Sequence, residues 1–462
     1  MRCDGFPAAR PGESMTYETK GTTPPGGLLQ VLGVAFGLAV LVGNTIGMGI
    51  LRTPGEIAAQ VPSIPLFMGV WVAGALYALL GALTLSELAT MRPRSGGMYP
   101  LVHDGLGPYP GFVVGWSDWL STCGSTAAVA IVLGEYAGPL IPLLAGHEKP
   151  TSCGVVLAFG LMQWRGIRIG DIAQQATSLV KALALVALAL VALFIAKTPA
   201  PAAAAAVAPA LPMGIALVGA VIIAMQSAIY TYDGWNGPIY FSEELQDPAR
   251  DLPRTMIGGV LLVMAIYLLL NAAFLAVIPI REMAGDPFVA ASAAARMFGP
   301  RGDTVLRIVM ILSLVATVNA LVLMASRVPF AMSRDGLLPA ALQRVNAGGT
   351  PVPALWTSVA VALGLIATNT FDTMVALLAF MFVVNYAVAF TTFFVMRKRQ
   401  PDAPRPFRVP LYPLVPGLAL LGSLAFIGAA LASDTTHSLL ALALVGLSWP
   451  VYRLFRRKAE AE

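Results

Sequence analysis

Two apolar runs of this chain are interrupted by residues that α-helices disfavour, and these interruptions carry the groups best able to bind a ligand. The first lies within residues 42–54 and the second within residues 229–238. In a lipid bilayer, unwound backbone survives only where protein or a water-filled cavity covers it. Paired Gly/Pro interruptions in the two halves of a membrane protein are typical of a transporter's substrate site.

The first interruption is suited to an anion. Gly43, Gly47 and Gly49 lack a Cβ, so the backbone can leave helical geometry and approach a ligand closely. Pro54 is tolerated in the first turn of a helix that restarts there. The N-terminus of that helix would present free N–H groups and a positive dipole end, which suit a carboxylate. Close helix–helix packing is the alternative use of these small residues.

The second interruption is suited to a cation. Asp233-Gly234 breaks the apolar run, and unwinding there would free the carbonyls of Tyr230, Thr231 and Asp233 to accept from an ammonium group. Packing alone would leave Asp233 as a costly charge inside the membrane. An anion cradle facing a cation cradle describes a site for a zwitterion, and an α-amino acid fits it best.

The composition places the elements around these interruptions in a membrane. Charged residues make up 11% of the chain, against about 25% in soluble domains, and the mean hydropathy is +0.76. A membrane span takes about 20 apolar residues, and the charge-free stretches predict twelve helical spans and leave no sizeable soluble domain. These stretches are residues 28–51, 57–86, 119–134, 150–164, 182–196, 198–232, 255–280, 308–326, 345–371, 373–396, 409–433 and 435–452.

The positive charges predict the orientation. With the N-terminus inside, most of the 29 Lys and Arg residues fall in cytoplasmic loops and tails. The positive-inside rule then places both termini in the cytoplasm of a multi-pass protein of the inner (plasma) membrane. Because these residues occupy short loops, the pI of about 9.1 does not indicate a nucleic-acid partner.

The segments outside the spans are short. Residues 1–27 are predicted to be a disordered cytoplasmic tail without the features of a secretory signal. Residues 197–212 form a Pro/Ala-rich outer connection and residues 456–462 a cytoplasmic tail. Cys3, Cys123 and Cys153 are not an even, loop-placed set, so no disulfide is expected.

The two interruptions also resemble signatures of the amino acid–polyamine–organocation superfamily, most closely its L-type amino acid transporter branch and that branch's bacterial relatives. Residues 43–50, Gly-Asn-Thr-Ile-Gly-Met-Gly-Ile, are similar to the first-helix pattern G-x-x-I-G-x-G-I, and residues 232–236, Tyr-Asp-Gly-Trp-Asn, to the sixth-helix pattern Y-x-G-W-N. The resemblance covers nearly the whole chain, with further landmarks at residues 93–99, 243–244, 247–254, 319 and 326–327.

The resemblance implies an all-α LeuT-type fold of two inverted five-helix repeats, residues 28–196 and 213–396, with helices 1 and 6 unwound at mid-membrane. Two additional helices, preceded by a basic loop, would occupy residues 397–455. It also implies alternating access, and a role for eight residues. The backbone of Thr45, Ile46, Gly47 and Gly49 would bind the α-carboxylate, the carbonyls of Tyr230, Thr231 and Asp233 the ammonium group, the Tyr230 ring would be a gate, and Asn236 would organise the site.

Lys181 lies inside the fifth predicted span. It could be a lysine that extends its ammonium group to the interface. The resemblance implies instead that it replaces the cation of sodium-coupled relatives, because sodium-independent members carry a lysine there, and that transport does not need sodium. Animal L-type chains bond a heavy-chain partner through an outer-loop cysteine after span three. Residues 138–152 contain no cysteine, so no disulfide-linked heavy chain is expected.

Four acidic residues, Glu87, Asp118, Glu135 and Glu243, are expected near span ends, and Arg327 is expected to pair with Glu243 or Glu244. No paired catalytic groups occur at membrane depth, so an enzyme is not expected, and neither is a metal or cofactor. The sequence predicts a transporter that exchanges or facilitates the passage of L-amino acids, most simply neutral ones. A proton-coupled or cationic amino acid and polyamine carrier remains an alternative, and a non-transporting membrane sensor is a third.

Overall fold

The computed structural model describes residues 27–47, 49–195, 211–368, 371–433 and 435–459. The predicted tail before residue 27, most of the outer connection, Met48 of the first interruption and the last three residues lie outside the described residues. The described chain is helical, and its only β-pairing is two isolated bridges, Leu32 with Leu245 and Val345 with Pro351.

The helices divide between two halves of the chain. The first half contains α1 (Val34–Thr45), α2 (Gly49–Gln60), α3 (Ile64–Met91), α4 (Tyr99–Leu106), α5 (Pro108–Ala137), α6 (Glu148–Trp164) and α7 (Ile167–Ile195). The second contains α8 (Ile215–Tyr232), α9 (Pro248–Val277), α10 (Ile280–Met283), α11 (Val289–Phe298), α12 (Gly302–Arg334), α13 (Val352–Thr368), α14 (Phe371–Arg399), α15 (Leu414–Ser433), α16 (Thr435–Gly446) and α17 (Ser448–Ala459). Short 3₁₀ helices are Pro142–Leu144, Gly237–Glu244, Gly299–Arg301 and Ala340–Gln343.

Within the described residues, nine helical segments are long and apolar enough to cross a membrane, or ten if α1 and α2 form one bent span. The twelve predicted spans include two more segments, α6 and α13, each of which has only 17 residues. The chain is therefore an all-helical multi-pass membrane protein. The helix α17 also continues to Ala459, into the predicted C-terminal tail.

The helices of the described part pack around four apolar clusters, of which two have more than three buried residues. The larger one joins α1, α3, α8 and α9, with Trp71, Tyr232 and Tyr267 in edge-on or tilted ring contact at its centre. The smaller one joins α5, α6, α12 and α13 through residues such as Val156 and Val322. The two broken helices thus belong to the larger cluster, and α12 contributes to both, with Leu314 and Val328 in the larger one and Val318 and Val322 in the smaller one.

One end of the bundle, which we call the basic end, is closed by arginine–carboxylate pairs. Arg327 donates to Glu244 through Nε to Oε1 at 3.1 Å and Nη2 to Oε2 at 3.0 Å, and both side chains are at most 1% exposed. Glu243 pairs instead with Arg334. Of the two partners expected for Arg327, the structure therefore selects Glu244.

Loop segments at the basic end are held by similar pairs. Glu87, near the end of α3, accepts hydrogen bonds from Arg397 and Arg405. On α4, burial opposes the charge of Asp104, but His103 and the nearby arginines, Arg94 among them, outweigh it and lower the pKa of the Asp104 carboxyl. These contacts make the basic end a folded, charge-paired surface.

The sequence predicts Asp118 near a span end, and this prediction is wrong. The structure places Asp118 well inside α5. It is fully buried, and its Oδ1 accepts from the Tyr240 hydroxyl at 2.6 Å. The helix α5 extends beyond the charge-free stretch because the 3₁₀ helix Gly237–Glu244 covers the carboxyl and supplies this donor. The charged residue Asp118 therefore does not mark the start of α5.

Candidate functional site

The first interruption separates two helices whose axes differ by 49°. The helix α1 ends at Thr45, and Ile46 takes an extended conformation with its N–H donated to Val42 O at 3.1 Å. The helix α2 begins at Gly49. Its first N–H groups have no acceptor within the helix, so they are available to an anion at the gap.

The second interruption follows Tyr232, where α8 ends. Asp233 N donates to Tyr230 O at 3.2 Å, and Gly234 has a φ of +102° before the 3₁₀ helix starts at Gly237. A Cβ on Gly234 would lie 2.7 Å from Asn44 Nδ2, so only glycine allows both this backbone conformation and the approach of α1.

The two interruptions touch each other. Asn44 Nδ2 donates to Gly234 O at 3.4 Å, and the Thr231 and Thr53 hydroxyls are 2.9 Å apart. A Cβ on Gly49 would lie 2.9 Å from Thr231 Cγ2. The paired segments therefore form one local structure between α1, α2 and α8.

Tyr267 on α9 joins the two helix ends. Its hydroxyl lies 2.8 Å from Thr45 O and 3.0 Å from Thr231 O, and one hydroxyl proton serves both carbonyls. The side chain is fully buried. Sequence reasoning did not single out Tyr267, although a lone tyrosine in the charge-free stretch 255–280 was the available signal.

Lys181 binds the other end of the first interruption. Its Nζ donates to Gly43 O and to Thr317 Oγ1, each at 2.9 Å, and the side chain is 1% exposed. Ser313 Oγ donates to Ile46 O at 3.3 Å. The ammonium group thus occupies a cluster of carbonyl and hydroxyl oxygens between α1, α7 and α12, the kind of ligand set that a hard cation would use.

Gly43 and Gly47 have opposite surroundings. A Cβ on Gly43 would lie 2.1 Å from Gln174 Nε2, whereas one on Gly47 would meet no atom of the described residues beyond its chain neighbours within 4 Å. Gly43 is therefore needed for helix packing. Gly47 faces open space, as the wall of a binding site must.

Two of the three carbonyls predicted to bind an ammonium group already have partners. Tyr230 O accepts from Asp233 N–H and Thr231 O from Tyr267. Each carbonyl oxygen has two lone pairs and can accept a second hydrogen bond. Asn236 is buried just before the 3₁₀ helix, without a capping side-chain bond. The hydroxyl of Thr45 is buried and has no partner in the described part of the chain.

The Asp233 carboxylate points toward α14 and accepts a hydrogen bond from Tyr386, whose ring stacks on Trp235 at 5.0 Å. It lines a narrow crevice between α3, α8, α14 and α15 that is otherwise mostly aromatic, with Tyr77, Tyr230 and Phe382 among its walls. Tyr230, the predicted gate, is 39% exposed.

Comparisons with known proteins identify the family of this chain. The amino acid permease family model matches residues 27–449. The serine/threonine exchanger SteT of Bacillus subtilis is 30% identical over 95% of this chain and 99% of its own length. The mouse b(0,+)-type amino acid transporter 1 is 26% identical over 96% and 91%.

The mouse large neutral amino acids transporter small subunit 2 is also similar, with 28% identity over 88% of this chain and 78% of its own length. The three matches cover 88% to 96% of this chain. The family match covers all but the two ends of the sequence. The chain therefore belongs to the amino acid permease family of membrane transporters.

Proposed function

We propose that this chain exchanges neutral L-amino acids by alternating access to a site between the two interruptions. The observation that carries this proposal is the contact between the two interruptions: Gly49, at the amide end of α2, packs against Thr231 near the carbonyl end of α8, while Tyr267 bridges the carbonyls of Thr45 and Thr231. Oppositely polarised backbone ends at one gap match both charged groups of a zwitterion.

Within this proposal, each end binds one charged group. The backbone of Thr45, Ile46, Gly47 and Gly49 binds the α-carboxylate, and the carbonyls of Tyr230, Thr231 and Asp233 bind the ammonium group. The exposed Tyr230 ring closes over the substrate, and Asn236 holds the segment that follows. Support comes from the open space at Gly47 and the contact between both interruptions.

Exchange is proposed to be independent of sodium. The Lys181 ammonium group donates to two oxygen atoms, Gly43 O and Thr317 Oγ1, and the Thr317 hydroxyl also donates to Gly43 O. A permanently attached cation there supplies the charge that a bound metal ion would otherwise bring.

The proposed architecture has twelve spans, with α6 and α13 as short fourth and ninth spans and residues 28–196 and 213–396 as inverted repeats. The basic end faces the cytoplasm of the plasma membrane together with both termini, in line with the positive-inside rule. We also propose that no disulfide-linked heavy chain is needed; Cys153 of the described part is a free thiol on α6.

Purified protein in liposomes tests the proposed function. Uptake of labelled alanine, leucine or serine should rise when the lumen holds unlabelled amino acid, and should stay the same when choline replaces sodium. Serine is included because a relative is a serine/threonine exchanger. Absence of stimulation from the lumen would refute exchange, and a requirement for a pH gradient would favour the proton-coupled alternative.

Gly47→Val tests the site itself. Because no atom lies within 4 Å of a Cβ there, the variant should fold, but its branched side chain should occupy the carboxylate position and abolish uptake. Gly154→Val is the matched control, since Gly154 on α6 is exposed and also has open space around its Cβ position. Normal uptake by Gly47→Val would contradict the site assignment.

A second candidate, transport of cationic amino acids, is favoured by the Asp233 crevice. The carboxylate lies among aromatic rings, and aromatic faces attract cations. Labelled arginine uptake that disappears in Asp233→Asn, with alanine uptake retained, would establish this specificity. Equal loss of arginine and alanine uptake would indicate that Asp233 maintains the backbone geometry of the site.

A further inference from the structure

Three buried amide side chains on α6, α12 and α7 form a hydrogen-bonded series that ends on α1. Gln163 Nε2 donates to Asn319 Oδ1 at 3.0 Å, Asn319 Nδ2 donates to Gln174 Oε1 at 2.7 Å, and Gln174 Nε2 donates to Ala39 O at 3.1 Å. Each of the three side chains is at most 1% exposed. We call Gln163, Asn319 and Gln174 the amide chain.

The helix α1 is fitted to the end of the amide chain. Ser178 Oγ donates to Ala39 O at 2.7 Å and lies 3.0 Å from Gln174 Nε2. One turn further along α1, a Cβ on Gly43 would lie 2.1 Å from Gln174 Nε2 and 2.7 Å from Ser178 Oγ. Any larger residue at Gly43 would push α1 away from these donors.

The amide chain connects three helices to α1. Gln163 lies on α6, Asn319 on α12 and Gln174 on α7, and the last acceptor, Ala39 O, lies on α1. Gln174, Ser178 and Lys181 follow one another at spacings of four and three residues, so they share one face of α7. That face holds the carbonyls of both Ala39 and Gly43.

These contacts make the amide chain dependent on the position of α1. A buried N–H that loses its partner bears the cost of desolvation, and Gln174 Nε2, at the end of the amide chain, keeps both of its acceptors only while α1 stays against α7. The 3₁₀ helix Gly237–Glu244 and its Arg327 pair close the basic end in this same conformation. Opening that end would require α1 and the 3₁₀ helix to move away from α6, α7 and α12.

We propose that the amide chain positions α1 in the conformation closed at the basic end, with Asn319 and Gln174 as positioning residues. The inference rests on the proposed alternating access, since only a transporter with two accessible states needs such a restraint. The inference assigns a role to Asn319. This residue is part of the family resemblance but has no role in the proposed substrate site.

The test measures exposure of a buried position in the full-length protein in detergent. In a background of Cys3→Ser, Cys123→Ala and Cys153→Ala, the 1% exposed Ser242 of the 3₁₀ helix is changed to Cys and labelled with a polar maleimide. Asn319→Ala and Gln174→Met should each raise the labelling rate about fivefold, a shift typical of losing one buried hydrogen bond. Gln174→Met keeps the side-chain volume, which separates the lost bond from a packing defect.

Asn385→Ala is the matched control. Asn385 is a buried amide that accepts from Ser117 Oγ at 2.7 Å and links α14 with α5. Its variant should leave labelling unchanged. The proposal is overturned if Asn319→Ala and Gln174→Met label at the wild-type rate, or if Asn385→Ala rises equally. Labelling requires no substrate, so failure of amino acid exchange in the parent protein would be recognised separately in the liposome assay.

Discussion

Lys181 and Arg327 are the two most deeply buried cations in the described part of the chain, and they are neutralised in different ways. Arg327 at the basic end forms a two-point pair with Glu244 and lies over the Phe241 ring. Lys181, equally buried, binds a carbonyl and a hydroxyl oxygen in the described residues, and neither partner is a carboxylate. Arg327 is therefore neutralised by a carboxylate, whereas Lys181 is stabilised by the dipoles of a carbonyl and a hydroxyl group.

The difference separates a structural role from a functional one. A buried ion pair resists the loss of either partner, because the remaining charge would stay in a medium that solvates it poorly. An unpaired intramembrane cation is costly and is normally retained for function. Arg327 therefore belongs to the closure of the basic end, and Lys181 to the broken end of α1.

The largest expected effect follows from breaking the charge pair. Arg327→Ala should destabilise the protein by about 3–5 kcal/mol, because Glu244 is left buried without compensation. The melting temperature in detergent and the monodisperse yield measure this loss. The double variant Arg327→Met/Glu244→Gln should recover much of the stability, since no unpaired charge remains. Equal melting of the single and double variants would refute the charge-pair interpretation.

Removing the other buried cation should affect transport more than folding. Lys181→Ala loses two hydrogen bonds from a charged donor, and a roughly 10- to 100-fold drop in exchange is expected. Its melting temperature should fall less than that of Arg327→Ala. Lys149→Ala, at an exposed lysine on α6, is the control. Full exchange by Lys181→Ala would remove the functional distinction between the two cations.

The sequence could predict the local parts of this site. Gly47 and Gly234 stand out because polar residues and a proline accompany them in an apolar run, and Lys181 because a charge is rare in such a run. The structure places all three at or beside the helix ends. The partners that join these ends are far apart along the chain: Tyr267 and Thr317 are ordinary residues of apolar helices. Their roles arise only from the packing of α9 and α12 against α1.

The directions of the Asp233 and Asp118 side chains could not be predicted from the sequence either. Asp233 was predicted at the site through its carbonyl, but whether its carboxylate faced α1 or α14 depends on the twist of the unwound segment. Asp118 was placed near a span end because charge usually marks one. Asp118 instead lies inside α5, where its carboxylate accepts a hydrogen bond from the Tyr240 hydroxyl. No local sequence pattern predicts that donor.

A smaller effect is expected from the hydroxyl that links both interruptions. Tyr267→Phe should reduce exchange about fivefold, since one buried hydrogen bond is lost while the ring packing stays. Tyr232→Phe is the matched control, because its ring lies 4.9 Å from that of Tyr267 and its hydroxyl has no partner in the described residues. Exchange rates in liposomes compare the two variants. Equal losses in both would assign the effect to the aromatic cluster rather than to the shared hydroxyl.

The smallest effect is expected at the partly exposed pair of the basic end, Arg94 with Asp104, whose side chains are 24% and 15% exposed. Asp104→Asn should cost less than about 1 kcal/mol, because solvent screens such pairs. The pKa of Asp104 is lowered in the folded protein, so its contribution is present at neutral pH and is lost as the pH falls through that lowered value. Melting temperatures of wild type and Asp104→Asn should therefore differ slightly at pH 7 and converge on acidification. A gap that widens toward low pH would contradict the assignment, and would show that even exposed pairs at this end depend on more than charge.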